Sequence, residues 1–337
     1  MAKITITAVR NFFKEKKPAF LFGNGINLYN NPSAKTWKNI LQELLEKKVR
    51  GDRDMKKIFE KILQSDFSKD VTCPEMYDLI NSLYKESEPE ETETNLQKES
   101  CKLINEYFTR NDNNKHYEII INVIKDKLNA PLLTTNFDGL FEQYCGIVPD
   151  KDDLKSLDSK IVGPGKYGSH FAYPWNKYFS KASLKKPDDG FAIWHIHGTV
   201  AEPRSVQFGS NQYVGMCARA KATFRSDKGQ ISKSDEEWYG DNTWLDLFYN
   251  KNLVVIGLGL STDESFLRWL FLGRSRHLTN FANKCSSEKK HSLYLTTADN
   301  PVPLAQRLFL ETCGFEIVEL SSYKELYEDL WENWSDE

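Results

Sequence analysis

Pro131-Leu132-Leu133-Thr134-Thr135-Asn136-Phe137-Asp138 is the stretch on which the fold turns. A short apolar run stops abruptly at hydroxyl, amide and carboxylate side chains. A run of that length, bounded by turn residues, reads as a strand. Phe191-Ala192-Ile193-Trp194-His195-Ile196-His197-Gly198 stops in the same way at His197. A third run, Ala19 to Phe22, opens into Gly23-Asn24-Gly25-Ile26-Asn27. A fourth, Asn252 to Ile256, opens into Gly257-Leu258-Gly259-Leu260-Ser261. In open α/β sheets ligands sit outside the carboxyl ends of the strands. Four strand ends of this chemistry predict one shared site. The two glycine-rich ends suit a phosphate-bearing ligand.

Helical periodicity fills the chain between the strands. Residues 5–16 read as a leading helix. Thr36 is placed to cap a helix whose apolar positions are Trp37, Ile40, Leu41, Leu44 and Leu45. Residues 53–128 read as several helices. Their apolar residues recur at threes and fours (Ile58, Phe59, Ile62, Leu63; Met76, Leu79, Ile80, Leu83; Leu103, Ile104, Tyr107, Phe108; Ile120, Val123, Ile124, Leu128). The acidic stretch Glu86 to Glu93, with Pro89, reads as a loop in that block. A helix follows from Asp138, residues 146–190 read as mostly loop, and 199–250 is mixed with a helix at 235–249. A helix from Ser261, strand 291–296, helix 303–313, strand 315–319 and helix 322–334 follow. Strands alternating with helices predict an α/β fold: a doubly wound, Rossmann-like parallel sheet with a helical insertion. Residues 1–36 and 129–337 form its core and 37–128 the insertion.

Composition sets limits. The chain has 337 residues, 40% apolar and 28% charged, which is ordinary for a soluble globular protein. The net charge of −3 gives no overall basic bias, so direct nucleic-acid binding is not expected. No apolar stretch approaches the roughly 20 residues of a membrane span, and the N-terminus lacks a signal-peptide core. Cys73, Cys101, Cys145, Cys217, Cys285 and Cys313 are scattered, with no C-x-x-C pair. A reduced, cytoplasmic protein is expected.

The strand ends carry the chemistry. Glycines in Gly23-Asn24-Gly25 let the backbone turn tightly and approach a pyrophosphate. The third glycine of the usual dinucleotide fingerprint is missing, and a plain turn also fits. Gly257-Leu258-Gly259 reads the same way, and Ser261 fits a helix cap. Asn136 offers donor and acceptor, and Asp138 adds a carboxylate. Together they suit a carboxamide, or a turn and helix cap. His197 titrates near neutral pH and can take a proton from water or a hydroxyl. Gly198 leaves room beside it. His195, two residues earlier, is expected on the same face of the strand. With no third ligand evident, it reads as packed or hydrogen-bonded, not as a metal ligand.

In combination, these segments resemble the sirtuin family. Gly23-Asn24-Gly25-Ile26-Asn27 is similar to that family's G-A-G-x-S loop. Thr134-Thr135-Asn136-Phe137-Asp138 is similar to its T-Q-N-x-D, and His197-Gly198 to its catalytic H-G. Gly257-Leu258-Gly259-Leu260 stands where the family has G-T-S-L. The stretch from Pro32 to Trp37 resembles the divergent sirtuin-like proteins of bacterial antiphage systems. Sirtuin deacylases carry a four-cysteine zinc ribbon between H-G and G-T-S. Here that interval holds only Cys217, so no zinc is expected.

The resemblance implies NAD⁺ as substrate and NAD⁺ hydrolysis as the activity. It assigns Asn136 and His197 to catalysis. Gly23, Asn24, Gly25, Asn27, Thr135, Asp138, Gly257, Gly259 and Ser261 fall to NAD⁺ binding, Asp138 at the carboxamide. It further implies an antiphage role gated by assembly or by a partner. The expected partners are other copies of the chain and a HerA-type hexameric ATPase. A protein deacylase or ADP-ribosyltransferase, and a non-catalytic NAD⁺ or ADP-ribose sensor, are the alternatives.

Overall fold

The computed structural model describes residues 5–31, 34–48, 53–64, 71–87, 93–108, 114–159, 175–226, 229–230, 238–282 and 291–334. Helix α1 (Ile6–Lys16) starts where Thr5 Oγ1 accepts the Ala8 N–H at 3.3 Å. β1 (Ala19–Phe22) follows, then the one-turn α2 (Gly25–Leu28). Next come α3 (Trp37–Lys48), α4 (Arg53–Gln64), α5 (Cys73–Ser87), α6 (Glu93–Tyr107) and α7 (His116–Ile121). Thr36 caps α3 by accepting the Asn39 N–H at 3.3 Å. α7 runs into a π-helical turn, Asn122–Lys127, and the chain then enters β2 (Leu132–Thr134).

α8 (Leu140–Tyr144) leads to a small antiparallel pair, β3 (Lys155–Ser156) with β4 (Lys177–Tyr178), and then to β5 (Ile193–His195). α9 (Ser210–Thr223), the pair β6 (Arg225–Ser226) and β7 (Gly229–Gln230), and α10 (Trp244–Asn250) precede β8 (Leu253–Ile256). α11 (Ser265–Ala282), β9 (Ser292–Thr297), α12 (Leu304–Thr312), β10 (Phe315–Leu320) and a π-helical turn, Glu325–Asp329, complete the order.

Six strands form one parallel sheet in the order β10-β9-β8-β1-β2-β5. The expected doubly wound α/β architecture is therefore what the chain adopts. From β1 the chain builds outward through β2 and β5, then returns to the other side of β1 for β8, β9 and β10. The order reverses between β1 and β8, and that is where such sheets open a crevice for ligands. Pairing of Phe22 with both Thr134 and Ile256, and of Thr134 with His195, brings four strand ends level.

The side chains of β1, β2, β5, β8 and β9 are buried on both faces. Phe20, Phe22, Leu132, Ile193, Val254 and Ile256 join one apolar cluster, which also holds Leu41, Leu44, Tyr77, Ile80 and Ile104 of the helical block. Leu21, Leu133, Trp194, Leu253 and Val255 join the other, with α9, α10 and α11.

Several expectations need correction. The helix expected at 235–249 is only α10. Thr243 Oγ1 accepts the Leu245 N–H at 3.2 Å and starts the helix there, and 238–243 is a turn. α9 was hidden inside the mixed region. Its buried Tyr213, Met216 and Ala220 have helical spacing, but the exposed Val214 blurs the stripe. Ile58 and Leu79, read as part of apolar stripes, are 49% and 45% exposed. The loop expected from Glu86 to Glu93 is shorter: α5 continues to Ser87 and α6 starts at Glu93, while 88–92 lies outside the described residues. Within 146–190 the chain forms β3, β4 and turns; 160–174 lies outside the described residues. The helix expected at 322–334 includes the π-helical turn.

Candidate active site

The two glycine turns are packed against each other. The Gly25 N–H donates to the Gly257 carbonyl at 2.8 Å, and the Gly23 N–H to that of Ile256 at 2.9 Å. A Cβ on Gly23 would lie 2.6 Å from the Gly257 carbonyl oxygen, and one on Gly25 2.8 Å from the Gly257 Cα. These glycines are thus required by the approach of β1 and β8 before any ligand is considered. Gly259 differs: a Cβ there meets nothing within 4 Å.

Asn27 stands behind this loop, buried and fully engaged. Its Nδ2 donates to Asn24 Oδ1 at 2.9 Å and to Asp138 Oδ2 at 2.8 Å, and its Oδ1 accepts from the Tyr117 hydroxyl. Asp138 Oδ1 accepts the Leu140 N–H at 3.1 Å, so Asp138 also caps the start of α8. Burial raises the Asp138 pKa, against the lowering effect of Asn27 and Leu140.

β2 ends at Thr134, so Asn136 lies in the turn beyond it. Its N–H donates to Thr134 Oγ1 at 3.0 Å. Its carbonyl pairs with His195 Nδ1 at 2.7 Å, and His195 Nε2 meets Glu142 Oε1 at 2.8 Å. Burial lowers the His195 pKa, but Glu142, the Asn136 carbonyl and Asp138 together raise it, and the net shift is upward. A buried His195–Glu142 pair thus fixes the backbone of Asn136 from behind. The Asn136 amide is left with its Oδ1 enclosed and without a hydrogen-bond partner.

His197 lies past the end of β5, where Gly198 turns the chain at φ +89°. The pleat does not extend to it, so the expected shared face with His195 is lost. His195 meets Phe179, at 6.0 Å between ring centroids. His197 instead sits among Tyr213 at 5.2 Å, Phe266 at 6.1 Å and Phe137 at 6.3 Å. Its Nε2 is enclosed without a partner, and burial pushes its pKa down to about 3. The ring is neutral at physiological pH, and its Nε2 has no hydrogen-bond partner in the protein.

Both side chains face a cavity of about 760 Å³, within the roughly 300–1,000 Å³ range of small-molecule sites. Asn24, Gly25, Thr135, Asp138, Gly257, Gly259 and Ser261 also line it. Gly23 and Asn27 do not, and act as supports. Ser261 additionally caps the short 3₁₀ turn Thr262–Glu264, accepting the Asp263 N–H at 3.3 Å.

Lining residues that the sequence reading missed include Lys35, Trp37, Gln207, Tyr213, Glu264 and Tyr327. Lys35 is the one lysine or arginine on the described wall, which also holds Asp138, Asp263 and Glu264; its Nζ lies 5.2 Å from the Tyr107 ring centroid. Tyr213 comes from the unforeseen α9. Glu264 had a local signal, an acidic pair directly after the glycine turn at Gly257.

Close-packed glycine turns at the switch point of a doubly wound parallel sheet define a Rossmann-like α/β protein. The SIR2-like domain family matches residues 131–318, more than half of the chain. The chain belongs to that family, whose members are NAD-dependent enzymes that use NAD as substrate. A search of curated proteins finds no match to it. No helix among the described residues is long and apolar enough to cross a membrane.

Proposed function

We propose that this chain is an NAD⁺ hydrolase that yields nicotinamide and ADP-ribose. The observation that carries the reading is the pair of enclosed, unpartnered atoms, Asn136 Oδ1 and His197 Nε2, on one cavity wall. A buried polar atom without a partner is costly, and a bound substrate removes that cost. In the reaction the ribose C1′–N1 bond breaks and its electron pair stays on N1. Nicotinamide leaves as a neutral ring and needs no general acid. Water adds to C1′, and His197 Nε2 takes its proton. Asn136 Oδ1 orients the water or the ribose hydroxyls. Asn24, Gly25, Gly257, Gly259 and Ser261 meet the diphosphate and adenosine parts, with Lys35 supplying positive charge. Asp138 accepts from the carboxamide.

The test is incubation of the purified chain with NAD⁺, alone and with its genomic neighbour, followed by product analysis. Equal amounts of nicotinamide and ADP-ribose are expected. Release that depends strictly on an acyl-lysine peptide would move the chain to the deacylases, and binding without turnover to the sensors. The same preparation should hold no stoichiometric zinc, because only Cys217 lies between Gly198 and Gly257. One tightly bound zinc per chain would reopen the deacylase reading.

The role we assign is antiphage defence by NAD⁺ depletion in the cytoplasm. Such an activity must be held in check in the uninfected host. We expect a homo-oligomer formed through the helical block 37–128, where Ile58 and Leu79 are exposed, and activation by a HerA-type ATPase or a phage-derived cue. Each tenfold of activation requires the activator to prefer the active arrangement by about 1.4 kcal/mol. Light scattering paired with NAD⁺ assays across dilution should show activity that falls as the oligomer dissociates. A monomer fully active at every concentration, and indifferent to the neighbour's product, rules gating out.

A further inference from the structure

Glu264 is a carboxyl on the cavity wall that the fold itself does not use. It ends the 3₁₀ turn Thr262–Glu264, just after the β8 glycine turn. Its neighbour Asp263 has a structural task, since Oδ1 accepts the Cys73 N–H at 2.7 Å at the start of α5. Glu264 Oε2 is sealed from solvent and has no hydrogen-bond partner. Glu264 and His197 line the same cavity, and Tyr213 links them. Tyr213 of α9 is within electrostatic reach of Glu264, and the Tyr213 ring packs on His197 at 5.2 Å. Phe266, two residues on, packs on both rings, at 6.1 Å from His197 and 6.4 Å from Tyr213.

The charges around Glu264 do not neutralise it. Asp263, on the same turn, has the same sign. Tyr213 from α9 and the Cys73 thiol from α5 are both held neutral by burial. Lys38 of α3 acts on Cys73. Burial, reinforced by Asp263, raises the Glu264 carboxyl to about 7. A carboxyl in that state is poised to ionise when a cation arrives. NAD⁺ brings a cation into the cavity, at its nicotinamide-ribose end, and the bond-breaking step moves that charge onto the ribose.

We propose that Glu264 is the counter-charge for the cationic nicotinamide-ribose end of the substrate, facing the pyridinium in the bound state and the oxocarbenium-like ribose in the transition state. The inference rests on the reading of the chain as an NAD⁺ hydrolase and adds a catalytic residue to it. A fixed negative charge in a water-poor site acts on such a cation far more strongly than it does in water.

Two ligands separate this role from a general binding role. A carbocyclic NAD⁺ analogue keeps the pyridinium and cannot be hydrolysed; ADP-ribose lacks the pyridinium. Calorimetric titrations at pH 7, in two buffers of different ionisation enthalpy, read proton release on binding. The analogue should release a measurable fraction of a proton from the wild-type chain, since burial keeps part of the Glu264 carboxyl protonated near neutral pH. ADP-ribose should release none. Glu264→Gln keeps the shape and removes the charge. It should abolish the release, weaken the analogue by about tenfold or more and leave ADP-ribose within about twofold. Equal proton release from the two ligands in the wild-type chain overturns the proposal without reference to any variant. So does a folded Glu264→Gln protein that binds the analogue as wild type does. If neither ligand binds, the hydrolase reading fails and this inference fails with it.

Discussion

Asn136→Ala and His197→Ala should each lower NAD⁺ turnover by about 100-fold or more, with the fold retained. The two losses have different origins. Asn136→Ala deletes the enclosed, unpartnered amide oxygen to which we assign the orienting of the water or the ribose. The backbone beneath it stays held by His195 and Glu142, so the loop keeps its path. His197→Ala deletes the base we propose and leaves a hole between Tyr213, Phe266 and Phe137. Steady-state assays with a thermal-unfolding control measure both. Turnover within a few-fold of wild type in either folded variant would remove that residue from the mechanism.

His197 also carries a stability signature. Its folded pKa is about 3, below the roughly 6.5 of an unfolded chain. Between these values only the unfolded state binds the proton. This contribution to stability is therefore complete above about pH 6.5 and is lost as pH falls toward 3. His197→Ala should show a shallower loss of stability over that window.

Gly198→Ala should be the most damaging single-methyl change in the site, while Gly259→Ala should leave stability nearly intact. Gly198 has φ +89°, and an added Cβ would lie 2.2 Å from the Ser205 carbonyl oxygen. That obstacle is backbone and cannot rotate away. The chain there is pinned by the bonds from Gln207 N to the His197 carbonyl at 2.9 Å and from Thr199 N to Ser205 Oγ at 3.0 Å. Strain plus overpacking should cost about 3 kcal/mol or more, on the order of 5 °C in Tm, and should displace His197. Gly259 faces open space on the cavity wall. Its added methyl should act on substrate, raising KM severalfold with little change in Tm. Equal Tm values for the two variants would contradict the packing described for the His197 turn.

The strands were legible because their cause is local. Ala19 to Phe22, Leu132 to Thr134, Ile193 to His195 and Leu253 to Ile256 are short apolar runs bounded by turn residues, and a parallel sheet buries them on both faces. Polar residues just beyond those runs were read as a site because sheet geometry sends every such end to one edge. α9 was not legible, since Val214 interrupts its stripe and its partners are distant in sequence. Nor was the use of each polar atom. Asn27 and Asn136 look alike as letters. Yet Asn27 is saturated by Tyr117, Asn24 and Asp138, whereas Asn136 keeps a bare oxygen.

The two histidines make the same point. His195 is paired with Glu142, 53 residues away along the chain, and His197 is enclosed by rings from α9 and α11. Local chemistry sufficed for where the strands run and which residue types stand at their ends. Long-range packing chose which of those groups are satisfied internally and which, like the Asn136 amide oxygen and His197 Nε2, keep no partner in the protein. A hydrogen-bond partner is a matter of position in space, and residues far apart in the chain supply it.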